Sequence, residues 1–123
     1  MLDCFYSIAE FYSVPEPILT AVYVTEGGSV GQKVGPNSNG TFDLGPMQIN
    51  SWWWDDHPRS LSKLGITQES VLNDFCQNVA VGAYILNQNY SAYGNWADAI
   101  TAYNKGKPTD GVDDYLKKVL DNL

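Results

Sequence analysis

Positive charge is scarce in this sequence. Seven Lys and Arg residues stand against fourteen Asp and Glu, for a formal charge of -7 and a pI near 4.3. A nucleic-acid binder needs a basic footprint for the phosphate backbone, and none exists here. The same imbalance argues against electrostatic docking on an anionic membrane. No apolar run approaches the ~20 residues that span a bilayer, so membrane insertion is not expected. No basic segment followed by an apolar one opens the chain as a secretory leader. An exported protein would therefore have lost its leader, and Met1 would be foreign to it. Histidine is limited to His57. With no further His or Cys at ligand spacing, no metal site is expected. Internal repeats and low-complexity tracts are missing too.

Cysteine is almost absent: Cys4 and Cys76 are the only two. An even count in a small chain fits one disulfide and an oxidising compartment. Two buried thiols are the alternative. A bridge would close a long loop, for which chain entropy gives ~4 kcal/mol of stabilisation.

What is present suits one compact domain over residues 1–123. The apolar fraction of 44% is ordinary for a globular chain, so a real core can form. Eight Tyr, four Trp and four Phe go beyond routine core needs and suit flat ligands such as sugars.

Periodicity is mostly helical. Phe5, Ile8 and Tyr12 fall at helical spacing. Ser13 is a plausible cap, and Pro15 and Pro17 suit the start of a second helix running to about Thr25. Ile18, Leu19, Val22 and Glu26 share a face of it. Glu26 thus stands beside the apolar side in the last turn, before Gly27 and Gly28 stop the helix. Residues 27–40, rich in Gly, Ser and Asn, read as a long loop, and such loops commonly bind something. "TFDLGPMQINS" alternates enough for a short strand or hairpin arm, with Gly45-Pro46 restricting it to an edge or turn. "WWWDDHPRS" reads as a loop or short helix. Thr67 and Ser70 make a capping-box-like start for a helix of roughly Glu69 to Asn89. Another helix starts near Asn95 and ends at Gly106 and Pro108. A last amphipathic helix begins at Asp113 and Asp114, where acidic side chains suit the dipole. The class is mainly α with a minor strand region.

Glu26 is the residue in this pattern most suggestive of chemistry. Glycosidic cleavage needs a proton donor, and a carboxyl donates at neutral pH only when burial raises its pKa. Glu26 follows the apolar "AVYV", and the adjacent glycines would let a substrate come close. The alternative is a solvated Glu at a helix C-terminus, where the macrodipole disfavours negative charge.

Three ordered segments add to this. "TEGG", "NGTFDLGPMQINS" and "AYNKG" resemble the Glu-Ser-Gly, Gly-Leu-Met-Gln and Ala-Tyr-Asn-x-Gly segments of the lytic transglycosylase family with the goose-lysozyme-like fold. The resemblance is nearest to small export-system-associated members of conjugation, pilus and secretion machineries, and covers about Asp3 to Lys107. It implies a lysozyme-like fold with a small β-hairpin or strand region beside the cleft. It also implies that Glu26 is the catalytic acid/base, that Met47 and Gln48 line the groove, and that Tyr103, with Asn104, sets its hydroxyl beside Glu26. Asn50 and Tyr84 are implied groove residues. Thr25, a further implied substrate-binding residue, stands where the family usually has Ser, and Pro46 where it has Leu.

The implied activity is non-hydrolytic cleavage of peptidoglycan glycan strands in the periplasm, ending in a 1,6-anhydro ring and needing no cofactor. A protein component of an envelope-spanning apparatus is the further partner implied. Asp43 leaves a second possibility open. It could stabilise positive charge, contact substrate, or activate water in a lysozyme-like hydrolase; it could equally be a turn residue bonding its own backbone. A non-catalytic glycan-binding scaffold is the third reading. Trp52, Trp53 and Trp54 invite sugar stacking, but three consecutive side chains cannot all face one cleft.

Overall fold

The computed structural model describes residues 2–123, with side chains from residue 4 onward; Met1 and what was expected of it lie outside the described residues. The described residues form six α-helices and a small sheet: α1 (Leu2–Phe11), α2 (Glu16–Glu26), α3 (Gln68–Asn73), α4 (Phe75–Tyr93), α5 (Trp96–Lys105) and α6 (Asp114–Asp121). Strands β1 (Lys33–Val34), β2 (Asp43–Leu44) and β3 (Ile49–Asn50) pair antiparallel in that order. Two 3₁₀ turns, Ser51–Trp54 and Leu61–Leu64, follow the sheet. The mainly α class with a small strand region is what the sequence led us to expect.

α4 is the central helix. Val79, Val81, Ala83, Ile85 and Leu86 are all buried, so it is apolar on several sides, as a helix enclosed by others must be. It packs against α1, α3 and α5, while α6 packs against α2 and α5. Cys4 and Cys76 are bonded, with Cα atoms 6.0 Å apart. The bridge fastens α1 to the first turn of α4.

Three boundaries differ from the sequence reading. The helix expected over 69–89 is divided at Asp74. Its carboxylate accepts from the Gln77 N–H and caps α4, and a short acidic side chain gains more from that bond than from continuing a helix. The long loop contains β1, whose two residues are too few to show alternation. Ser13 is not a cap: it sits at φ 55°, and α2 begins at Glu16, with Pro15 in the N-cap position and no side-chain capping bond. Thr67 does cap α3, accepting from the Ser70 N–H.

One buried amide fixes the β2–β3 turn. Asn78 is fully buried on α4. Its Nδ2 donates to the Leu44 carbonyl (2.8 Å) and the Val71 carbonyl (3.0 Å), and its Oδ1 accepts from the Met47 N–H (2.8 Å). Buried polar groups need such partners, and here they tie the turn to two helices. Gly28 lets α2 end against the same turn. Its N–H donates to the Pro46 carbonyl, and a Cβ there would collide with the Gly45 carbonyl and the Gln48 side chain.

Candidate functional site

Glu26 closes α2, and Gly27, at φ 65°, turns the chain away immediately after it. The carboxyl is half-buried and faces a cleft of about 380 Å³ between the sheet, α4 and α5. Burial pushes its pKa up to about 7. A hydrogen bond from the Tyr115 hydroxyl to Oε2 (2.5 Å) pulls the other way, and the negative charge of Asp43 adds to the rise. Glu26 therefore holds its proton a substantial fraction of the time near neutrality, which suits a general acid.

The tyrosine bonded to Glu26 differs from the one expected. Tyr103, on α5, donates to the Met47 carbonyl at 2.7 Å instead. It still lines the cleft, and its pKa is pushed well up by burial and then by the charges of Glu26 and Asp43. Tyr103 is thus a neutral strut between α5 and the β2–β3 turn. Tyr115, from the first turn of α6, makes the direct contact, and its own pKa is raised by burial and by Glu26. Sequence reading passed over Tyr115. The signal was an aromatic beside Leu116 and Val119 on the apolar side of a strongly amphipathic helix, but nothing local to α6 says that this side meets the end of α2.

Asp43 is a strand residue, not a turn residue bonding its own backbone. The β2–β3 register sets it opposite Asn50. Asn50 Nδ2 donates to Oδ1 (3.0 Å) and Asn37 Nδ2 to Oδ2 (3.2 Å), so both oxygens are held while the residue lines the cleft. Asn50 also lines it, and its Oδ1 caps the following 3₁₀ turn by accepting from the Trp52 N–H. Gln48 lines it from a left-handed backbone (φ 53°), with Nε2 on the Gly45 carbonyl at 3.0 Å. A strained non-glycine residue beside a cleft is a common mark of function. Asn104 lies on the rim, exposed.

Three expected groove residues lie elsewhere. The Met47 side chain is fully buried against Gly82, whose lack of a Cβ makes room for it; only its carbonyl serves the site. Thr25 Oγ1 donates to the Ala21 carbonyl (2.7 Å) and accepts from Asn122 (3.0 Å), outside the cleft lining. Tyr84 packs edge-on against Tyr12, just past the end of α1. Ile85 and Asn89 are the α4 residues in the cleft, and Tyr84, one position from Ile85, is turned ~100° away.

The three tryptophans divide as steric reasoning requires. Trp54 donates Nε1–H to the Ile66 carbonyl and rests on the core, while Trp52 and Trp53 line the cleft. Arg59, which sequence reading did not single out, joins them there. Among the described residues, no group of three His, Cys, Asp or Glu could hold a metal ion, and no helix is long and apolar enough to cross a membrane.

Comparison with known proteins agrees with this geometry. The family model for the transglycosylase SLT domain matches residues 3–118. Invasion protein IagB of Salmonella typhimurium (strain SL1344) is 35% identical over 123 residues, spanning 98% of this chain and 74% of the relative. Protein IpgF of Shigella flexneri is 35% identical over 104 residues, 85% of this chain and 66% of its own length. X polypeptide of Escherichia coli is 30% identical over 104 residues, 85% of this chain and 59% of its own. With nearly its whole length matched, the chain belongs to the transglycosylase SLT domain family.

Proposed function

We propose that this chain is a single-domain lytic transglycosylase that cuts the β-1,4 bond between N-acetylmuramic acid and N-acetylglucosamine in peptidoglycan. The observation that carries the reading is Glu26: a half-buried carboxyl at a cleft, with its pKa raised to about 7 and its orientation held by Tyr115. A glycan-binding scaffold has no use for a carboxyl kept protonated at such a cost in burial.

Glu26 would donate its proton to the bridging oxygen as the bond to the anomeric carbon breaks. The substrate's acetamido oxygen bonds to that carbon, giving an oxazolinium-like intermediate. Glu26, now a carboxylate, takes the proton of the C6 hydroxyl as that oxygen displaces the acetamido oxygen. A 1,6-anhydro ring forms, Glu26 is protonated again, and no water is consumed. Asp43 would help keep Glu26 protonated at the start and offset positive charge at the intermediate. Tyr103 would brace the β2–β3 turn that carries Gln48.

A lysozyme-like hydrolase is the second reading. It is favoured by one observation: Asp43 shares the cleft and its charge acts on Glu26. Mass analysis of products from purified peptidoglycan separates the two, because anhydro-muramic ends lack the water that hydrolysis adds.

The disulfide and the nature of the substrate support a periplasmic site of action. Local opening of the wall for a secretion, pilus or conjugation apparatus fits the likeness to a protein named for invasion. Wall lysis in cells lacking the apparatus, compared with cells that have it, tests that role.

A further inference from the structure

Residues 52–59 fold into one small platform at the cleft. The Trp52 ring stacks on His57, with centroids 3.9 Å apart and planes 16° from parallel. His57 Nδ1 accepts from the Arg59 backbone N–H (3.2 Å), so the ring proton belongs on Nε2, which lies 2.9 Å from the Trp52 carbonyl and donates to it. His57 thus ties Trp52 to Arg59 through both ring nitrogens. The Arg59 guanidinium lies over Trp53, 4.8 Å from its ring centroid. Trp52, Trp53 and Arg59 all line the cleft that holds Glu26.

The electrostatics single out Arg59. The chain carries a net charge of -7, and Glu26 and Asp43 occupy the same cleft. An anionic substrate is therefore repelled unless a local cation receives it. Arg59 and Lys105 are the cations in the lining. Lys105 sits in the last turn of α5, where its charge offsets the helix dipole. Arg59 is held in place by its backbone bond to His57 and by Trp53. Among the described residues its guanidinium makes no hydrogen bond or ion pair, although Asp55 and Asp56 are near in sequence. A planar fork with its donors unused is suited to a carboxylate.

Resting on the transglycosylase reading, we propose that Arg59 binds a carboxylate carried on the lactyl arm of a muramyl residue while that glycan crosses the Trp52–Trp53 surface. The carboxylate has two sources. In a peptide-free strand it is the lactyl carboxylate itself; in a peptide-bearing strand the lactyl group is amide-linked and the acids belong to the stem peptide. Arg59 would then be the residue that separates muramyl glycans from uncharged N-acetylglucosamine polymers.

The test is equilibrium binding to catalytically silenced Glu26→Gln protein, with and without Arg59→Gln. Three ligands are compared: chitohexaose, peptide-free glycan strands and peptide-bearing strands. Arg59 is exposed, so its replacement leaves the core intact. The expected result is a loss of about tenfold or more toward at least one anionic strand, with chitohexaose binding unchanged and the salt dependence of anionic binding flattened. A loss toward peptide-free strands identifies the lactyl carboxylate; a loss confined to peptide-bearing strands identifies the stem. Equal losses for chitohexaose and the anionic strands, no loss for either strand, or a larger loss from Lys105→Gln would overturn the proposal and leave the transglycosylase reading standing. Failure of the parent protein to bind any of the three glycans would overturn the transglycosylase reading itself.

Discussion

The Tyr115 hydroxyl donates to Oε2 of Glu26 across 2.5 Å, joining residues 89 positions apart in sequence. The last helix of the fold is therefore part of the site built at the end of the second. Glu26 feels two opposed influences at once: a hydrogen bond that favours its charged form, and burial with Asp43 that favours its neutral form. The balance sets how much acid is present at neutral pH.

Burial of Glu26 has a stability signature. Its folded pKa of about 7 lies above the ordinary 4.5, so the folded state binds more protons than the unfolded state between those values. Stability is then lost as pH rises from about 4.5 to 7, by about 3 kcal/mol in total. Glu26→Gln removes the titration and still lets Tyr115 donate to an amide oxygen. Thermal melts are expected to show the variant several degrees more stable than wild type at pH 8, with the gain disappearing near pH 4. An equal gain at both pH values would contradict burial as the cause.

Tyr115→Phe and Asp43→Asn are expected to move the pH profile in opposite directions. Losing the Tyr115 bond raises the Glu26 pKa further, so the alkaline limb of kcat/KM shifts to higher pH. Losing the Asp43 charge lowers it, so the limb shifts to lower pH. Asp43→Asn should also reduce the rate by ~10²-fold if the charge stabilises the intermediate. Shifts of the same sign in both variants would show that the two residues act through general destabilisation, not through Glu26.

Asn78→Ala should be among the most destabilising substitutions in the chain. It removes three hydrogen bonds and leaves the Met47 N–H and the Leu44 and Val71 carbonyls without that partner in a buried setting. A cost of ~3 kcal/mol or more is expected from chemical denaturation. Asn78→Asp keeps only the accepting half and should recover little. A loss under ~1 kcal/mol would mean that the β2–β3 turn is held by other contacts.

Much of this site was legible in the sequence, but unevenly. Glu26 stood out because its apolar helix face and the two glycines after it are local signals, but those left a solvated helix-end Glu equally open, and it was the ordered family motifs that pointed to the acid. Gln48, Asn50, Asp43 and Asn104 line the cleft, and the ordered motifs had drawn attention to the segments that carry them. Tyr115 and Arg59 were not visible, since each depends on how distant elements pack. Tyr84 and Met47 failed for a different reason. A motif or helix reports that a segment approaches the groove, whereas the ~100° rotation per residue decides which side chain enters it. The β-strands were blurred because two-residue strands have no period to read.

The most direct test of the central claim is mass spectrometry of the muropeptides released from purified peptidoglycan by the wild-type protein and by Glu26→Gln. The expected result is release of products ending in 1,6-anhydro-N-acetylmuramic acid by the wild type and essentially none by the variant, which should keep its fold and its glycan binding. Products with reducing N-acetylmuramic ends would contradict the transglycosylase mechanism and favour hydrolysis with Asp43 as the second carboxylate. Cleavage by Glu26→Gln at a rate near that of wild type would contradict the assignment of Glu26 as the acid.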